Sequence, residues 1–298
     1  MTKKLLVTDT FFLTQKYVDQ LTDAGYEVVR LDKAAATEDE LIEALKDISV
    51  YIIGGIEQVT DRVLESTSEL KAIIFTGVDY SKFVPGVATA QKKGITILNA
   101  PGANAVGVAE FAVGVALTMQ RQLLTLSRNG EAKYVTTRSV QGSTVGIIGM
   151  GNIGSIILKA VRVFDPEKVY YYNRSPKDVE AEQTDLETLV RTSDILFLTL
   201  PASAGQVFDA DLLAKVKKDC LLISISPNTL IDYDALLEKL TNNEIRAAID
   251  WPSPSPAFDS LSLDNWLSFN SHSAYNTHAA LDSVNASVTH TAIDLLNN

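Results

Sequence analysis

Three glycines, Gly149, Gly151 and Gly154, fall in the order G-x-G-x-x-G between two segments of opposite period. Before them, Val145, Ile147 and Ile148 form a short β-branched run suited to a strand buried on both faces. After them, Ile153 to Phe164 carries apolar residues at helical spacing. In a strand-turn-helix unit each glycine has a mechanical task. The first allows the tight turn, the second lets a pyrophosphate approach the backbone, and the third lets helix and strand pack closely. The N–H groups at the helix start then face an anion. Gly149, Met150, Gly151, Asn152, Ile153 and Gly154 are therefore candidate dinucleotide-binding residues.

The following strand, Val169 to Tyr172, ends at Asn173, Arg174 and Ser175. An acidic side chain about 20 positions past the glycines normally accepts hydrogen bonds from the adenosine ribose. It would repel a ribose 2′-phosphate, whereas asparagine does not. Arg174 and Ser175 supply charge-assisted and hydroxyl donors to that group. The expected coenzyme is NADP(H), with NAD(H) possible if Arg174 is only a solvated turn residue.

The elements that must position these groups alternate along the chain. Leu5–Thr8, Glu27–Leu31, Tyr51–Ile53, Ile73–Thr76 and Ile95–Leu98 read as strands. Helical patterns lie between them, one around Gln15 to Ala24 and one opened by the capping box Thr37–Glu40; Thr60 caps another. A long helix is expected from Asn104 to about Leu126, followed by strands near Val145, Val169, Ile195, Leu221 and Arg246 and a helix capped by Asp232. Three prolines in WPSPSP exclude helix and sheet interior after Asp250. The segment from Asn276 to Leu296 forms a last helix that returns to the first domain. The fold class is α/β: two Rossmann-like, doubly wound parallel-sheet domains with a cleft between them. The expected domains are 1–99, completed by 276–298, and 100–275.

Composition narrows the function. The chain has 298 residues, 46% hydrophobic, and a formal net charge of −11. Nucleic acid and anionic membranes need a clustered basic surface, which is not visible here. Cys220, the single cysteine, sits in the apolar run CLLISIS and reads as a buried strand residue, and no metal-binding cluster stands out. The N-terminus lacks the apolar run of a signal peptide, and no run reaches the length of a membrane span. A cytoplasmic protein is expected.

Several motifs together resemble the D-isomer-specific 2-hydroxyacid dehydrogenases over nearly the whole chain. They are LKAIIFTGVDY, KKGITILNAPGANAVGVAE, the glycine turn, LTLPAS, ISISPNTLID, AAID and NSHSAYNTHAAL. The resemblance implies hydride transfer between nicotinamide and a small 2-keto or 2-hydroxy acid or related carbonyl compound, in a homodimer. It implies that backbone N–H groups of Gly77 and Val78 hold the substrate carboxylate and that His272 donates the proton. It also places Pro201, Ile225, Ser226, Pro227, Asp250 and His272 along the cofactor.

Two positions depart from the family pattern. Pro227 and Asn228 stand where the family has arginine and glycine, and Ser255, before Pro256, stands where it has glutamate. Proline has neither charge nor paired donors for a 2-keto acid, and serine cannot hold the charge that keeps a histidine protonated. Tyr275 is a nearby hydroxyl that could replace a lost donor, whereas His278 reads as structural. Altered or weak catalysis is therefore expected. The alternatives are a catalytically silent NADP(H)-binding sensor or scaffold and, further off, a Rossmann protein of other chemistry such as methyl transfer.

Overall fold

The structure, a computed structural model, describes residues 3–9, 13–77, 80–128, 134–269 and 273–297. The chain divides into two compact units, one of Met1–Asn104 with Thr277–Asn298 and one of Ala105–Asn276.

The first unit runs β1 (Lys3–Thr8), α1 (Gln15–Asp23), β2 (Tyr26–Leu31), α2 (Glu38–Ala44), β3 (Val50–Ile53), α3 (Asp61–Glu65), β4 (Ala72–Phe75), α4 (Val87–Lys92) and β5 (Thr96–Leu98). All five strands are parallel, in the order β2-β1-β3-β4-β5. Alternate residues face opposite ways. Leu6, Tyr51, Ile53 and Ile73 pack on one face with Leu41 and Val63, and Leu5, Val7, Ile52 and Ile74 on the other with Leu21 and Val288. Thr37 makes the anticipated capping box with Glu40, and the Thr60 hydroxyl accepts from the Val63 N–H.

The second unit opens with α5 (Ala105–Gln120) and α6 (Leu123–Arg128). One continuous helix to Leu126 was expected; instead, Gln122 adopts φ +50°, a left-handed conformation that ends the first helix. The unit continues through β6 (Thr144–Ile148), α7 (Asn152–Arg162), β7 (Lys168–Tyr172), β8 (Glu182–Gln183), α8 (Leu186–Thr192), β9 (Ile195–Leu198), α9 (Ala210–Lys215), β10 (Leu221–Ser224), α10 (Tyr233–Thr241), β11 (Arg246–Ile249) and β12 (Trp266–Ser268). These form a seven-stranded parallel sheet in the order β12-β11-β10-β9-β6-β7-β8. Neither edge strand is long enough to show a period in the sequence: β8 has two residues and β12 three. Asp232 caps α10 by accepting from the Ala235 N–H at 3.1 Å. The last helix, α11 (His278–Asn297), packs on α1 and β4 in the first unit. Among the described residues no helix is long and apolar enough to cross a membrane, and no group of three or more His, Cys, Asp or Glu could hold a metal ion.

α5 is apolar nearly all round and is fastened at its end by Arg246. This side chain is buried, donates to Gln120 Oε1 at 2.8 Å and to the Met119 carbonyl at 3.3 Å, and so satisfies an end carbonyl of the helix. Burial, with a smaller push from the Arg138 charge, lowers its pKa to about 10. Arg246→Met leaves both acceptors without their donor, and we expect a loss of about 2 kcal/mol in urea unfolding.

Candidate functional site

The functional groups of the second unit collect at the carboxyl ends of adjacent parallel strands. β7 and β9 lie on opposite sides of β6, so the chain reverses direction across the sheet at β6 and β9. Ligands of open α/β sheets bind in the crevice at such a reversal. The Gly149 turn follows β6 and the Thr199–Pro201 segment follows β9.

Gly149 has φ +104°, a conformation that L side chains rarely adopt. Its N–H donates to the Tyr172 carbonyl at 2.9 Å, which couples the turn to the end of β7. Gly151 precedes α7 with no side-chain cap, and no atom lies within 4 Å of where its Cβ would be. Among the described residues no side chain caps the start of α7, which leaves its first N–H groups for an anion. At Gly154 a Cβ would collide with the Gly149 carbonyl oxygen. A nucleotide pyrophosphate fits this arrangement of bare backbone and open space.

Two side chains brace the turn. The Thr199 hydroxyl lies 2.6 Å from the Gly149 carbonyl and 3.1 Å from that of Ile148, a donor shared between the two. Thr199 lies in the motif LTLPAS, immediately after the β9 run, and pairing of β9 with β6 brings it into contact with the turn. Asn173 Oδ1 accepts from the Met150 N–H at 3.2 Å while its Nδ2 donates to the Ser175 carbonyl at 2.8 Å. Asn173 is thus committed to the backbone on both sides. Arg174 and Ser175 are exposed, and Arg174 has no ion-pair or hydrogen-bond partner among the described residues. Lys177, also exposed, has its backbone held in place by the Tyr171 hydroxyl.

On the other side of β9, Pro201 is exposed at the head of a short turn, Ala202–Ala204. The Ile225 N–H and the Ser226 hydroxyl both donate to the Leu198 carbonyl, at 3.2 and 3.1 Å. Trp251 Nε1 donates to the Ser226 carbonyl at 2.9 Å. Pro227 is half-buried and leads a turn, Asn228–Leu230, in which the Tyr233 hydroxyl donates to Asn228 Oδ1 at 2.8 Å. Burial raises the Tyr233 pKa, so this hydroxyl remains a donor at neutral pH.

Asp250 is 1% exposed just past β11. Its carboxylate accepts from the Ser273 N–H at 3.0 Å and from the Ala274 N–H at 3.1 Å. It thereby latches the backbone that immediately follows His272. His272 itself lies outside the described residues, as does Val78. Gly77, in the first unit, is half-buried, and its carbonyl accepts from the Ala100 N–H at 2.9 Å. Ser255 is half-buried, with its carbonyl accepting from the Phe258 N–H at 3.1 Å. Tyr275 and His278 are exposed. Cys220 is fully buried, and burial pushes its thiol pKa up, which removes it from chemistry.

A glycine turn into an uncapped helix at the reversal of a parallel sheet defines a dinucleotide-binding protein. Residues 113–274, more than half of the chain, match the family described as D-isomer specific 2-hydroxyacid dehydrogenase, NAD binding domain. A hydroxypyruvate reductase of Thermotoga maritima is 31% identical over 242 residues, 76% of this chain and 78% of that protein. A D-3-phosphoglycerate dehydrogenase of Methanocaldococcus jannaschii is 30% identical over 277 residues, 88% of this chain but 52% of the relative. The chain belongs to the D-isomer specific 2-hydroxyacid dehydrogenase family. Among solved structures, an acyclic imino acid reductase in complex with NADPH and D-Arg has a TM-score of 0.85 at 23% identity, covering 99% of this chain and 97% of that one. An NAD+-bound 3-phosphoglycerate dehydrogenase of Entamoeba histolytica has a TM-score of 0.82 at 18% identity, covering 100% and 96%. At these identities the likeness is one of fold.

Gly154→Ala forces the helix away from the turn. The expected result is at least a tenfold weaker affinity for the coenzyme by calorimetry, with a stability loss of about 1–3 kcal/mol. Thr199→Val, which removes the brace and leaves the glycines intact, is expected to weaken binding less than Gly154→Ala does.

Proposed function

We propose that this protein is an NADP(H)-preferring oxidoreductase that interconverts a small 2-keto acid and its 2-hydroxy acid, with catalysis altered from the family pattern. The observation that carries this reading is the bare glycine turn at the sheet reversal, followed by Asn173-Arg174-Ser175 in place of an acid. In this reading the second unit serves the coenzyme and the first unit the substrate.

In this reading the N–H groups of Gly151, Asn152 and Ile153 hold the pyrophosphate, and Arg174, with Ser175, pairs with the ribose 2′-phosphate. Lys177, three residues on, adds a second cation near the same place. Asn173 holds the turn and the Ser175 backbone in register and leaves the recognition to its neighbours. Pro201, Ile225, Ser226 and Pro227 form the floor beside the nicotinamide. When bound, the coenzyme supplies or accepts a hydride at the substrate carbonyl carbon. Gly77 and Val78 hold the substrate carboxylate by their backbone N–H groups, and His272 delivers a proton to the carbonyl oxygen during reduction. Asp250, whose carboxylate is oriented by the Ser273 and Ala274 amides, holds the carboxamide of the nicotinamide. With Pro227 and Ser255 in place of the family's arginine and glutamate, nothing at those two positions clamps the carboxylate or charges the histidine. Slow turnover is the expected consequence. The protein is proposed to be cytoplasmic, and to be a homodimer in which Val106 of α5 and Leu123 of α6, 57% and 50% exposed, meet the second copy.

The two substitutions also favour a second reading, a coenzyme-binding sensor without turnover. Hydroxypyruvate, glyoxylate and short 2-keto acids tested with NADPH separate the two. Reduction that disappears in His272→Ala supports the enzyme. Tight NADPH binding with no reduction of any acid supports the sensor.

Arg174→Asp places a carboxylate where the 2′-phosphate is held. The ratio of NADPH to NADH affinity should fall at least tenfold, about 1.4 kcal/mol. An unchanged ratio removes Arg174 from coenzyme selection.

A further inference from the structure

Tyr171 is 2% exposed in β7, and its side chain lies in the core cluster with Val145, Ile147, Val179 and Ala181. A phenylalanine ring would fill that space with the same volume and shape. The hydroxyl therefore answers to something other than packing. It accepts from the Lys177 N–H at 2.9 Å and donates to the Lys177 carbonyl at 3.2 Å. One buried side chain thus takes both backbone groups of a residue six positions further on. The Lys177 carbonyl also accepts from the Val179 N–H at 3.1 Å, which starts the return of the chain towards β8.

The segment between Tyr171 and Lys177 is pinned at its other end as well. Gln183 Nε2, from β8, donates to the Asn173 carbonyl at 2.9 Å, and Asn173 Nδ2 donates to the Ser175 carbonyl at 2.8 Å. Pro176, between Ser175 and Lys177, has its φ fixed by its ring. Asn173 Oδ1 accepts from the Met150 N–H at 3.2 Å, so the segment is registered on the glycine turn itself. An exposed loop carrying two long side chains ordinarily has much conformational freedom to lose. Here the backbone has already lost it.

This stiffened segment presents Arg174, Ser175 and Lys177 to the exterior. Neither the Arg174 guanidinium nor the Lys177 ammonium has a partner among the described residues. Of the acids that follow, Glu180 is paired with Arg162 at 3.1 Å, and Asp178 is exposed. Two cations on an ordered backbone suit a doubly charged phosphate group, because charge-assisted hydrogen bonds then form without the cost of ordering the loop at the moment of binding. That advantage reaches only a ligand that touches the segment's side chains. A dinucleotide with a ribose 2′-phosphate does so, and one without it does not.

We propose that Tyr171 is a positioning residue for coenzyme selection: its hydroxyl fixes the Lys177 backbone and so holds the Arg174 and Lys177 side chains ready for the ribose 2′-phosphate. The inference rests on the reading that the Asn173-Arg174-Ser175 turn takes NADP(H). Tyr171 acts through Lys177, since its own ring is in the core and its hydroxyl is already engaged.

The test measures affinity by calorimetry for NADPH and NADH, and for adenosine 2′,5′-bisphosphate and AMP, two fragments that differ only in the 2′-phosphate. Tyr171→Phe should weaken NADPH and the bisphosphate at least threefold while NADH and AMP stay within twofold of the wild type. A loss shared equally by all four ligands is what a merely structural hydroxyl produces, and it overturns the inference. Adding Tyr171→Phe to Lys177→Ala should weaken NADPH by a smaller factor than Tyr171→Phe does alone. Full additivity shows that the hydroxyl does not act through Lys177 and also overturns it. In the wild-type protein, hydrogen exchange provides a check that needs no variant: the Lys177 amide should be protected before any coenzyme is added. Protection that arises only with NADPH overturns the preordering. A wild type that binds NADPH no more tightly than NADH removes the NADP(H) preference itself, and this inference falls with it. A preference that Tyr171→Phe leaves intact overturns the inference alone.

Discussion

The second unit depends on one close approach: α7 leaves the Gly149 turn so tightly that Gly154 rests against the Gly149 carbonyl oxygen. That contact sets how the helix meets β6 and points its first N–H groups at the carboxyl edge of the sheet. Everything at that edge is arranged around it. Thr199 donates to the same carbonyl from the neighbouring strand on one side, and Asn173 receives the Met150 N–H from the neighbouring strand on the other. The turn is thereby braced from β7 and β9, the two neighbours of β6. No charged side chain has to be buried to stabilise it.

The two units solve similar problems with different chemistry. Each is a parallel sheet whose chain reverses beside its first strand, which leaves a crevice at the carboxyl edge. In the second unit the crevice is lined by bare backbone and is receptive to an anion. In the first it is backed by the buried Glu57 carboxyl, which holds the Thr8 and Tyr51 hydroxyls and, through Thr8, the Gly54 amide. Leaving one oxygen of a buried carboxyl unpartnered is costly, and the two hydroxyls on its other oxygen offset part of that cost.

Much of the architecture was legible because it rests on local patterns. The run Leu5 to Thr8 and the run Val145 to Ile148 are apolar and β-branched, and they form central strands. Thr37, Thr60 and Asp232 cap the helices that their positions announce. The exceptions have physical reasons. Gln122 breaks the long helix by a backbone conformation that its side chain does not advertise, and the edge strands β8 and β12 owe their existence to their neighbours. Within the site, the glycines and the Asn173-Arg174-Ser175 turn were readable from spacing. The bracing contact of Thr199, although that residue lies in LTLPAS, was not, because its partner Gly149 is distant in sequence.

By itself the sequence determined the α/β alternation and the position of the glycine turn. These are properties of residue type and period, and a linear string carries them. The tertiary structure alone decided that Asn173 serves the backbone on either side of it, that Asp250 latches residues 273 and 274, and that an acid lies buried behind the first unit's crevice. Strand order brings those groups together, and strand order follows from how whole sheets bury their two faces, which no local stretch of sequence records.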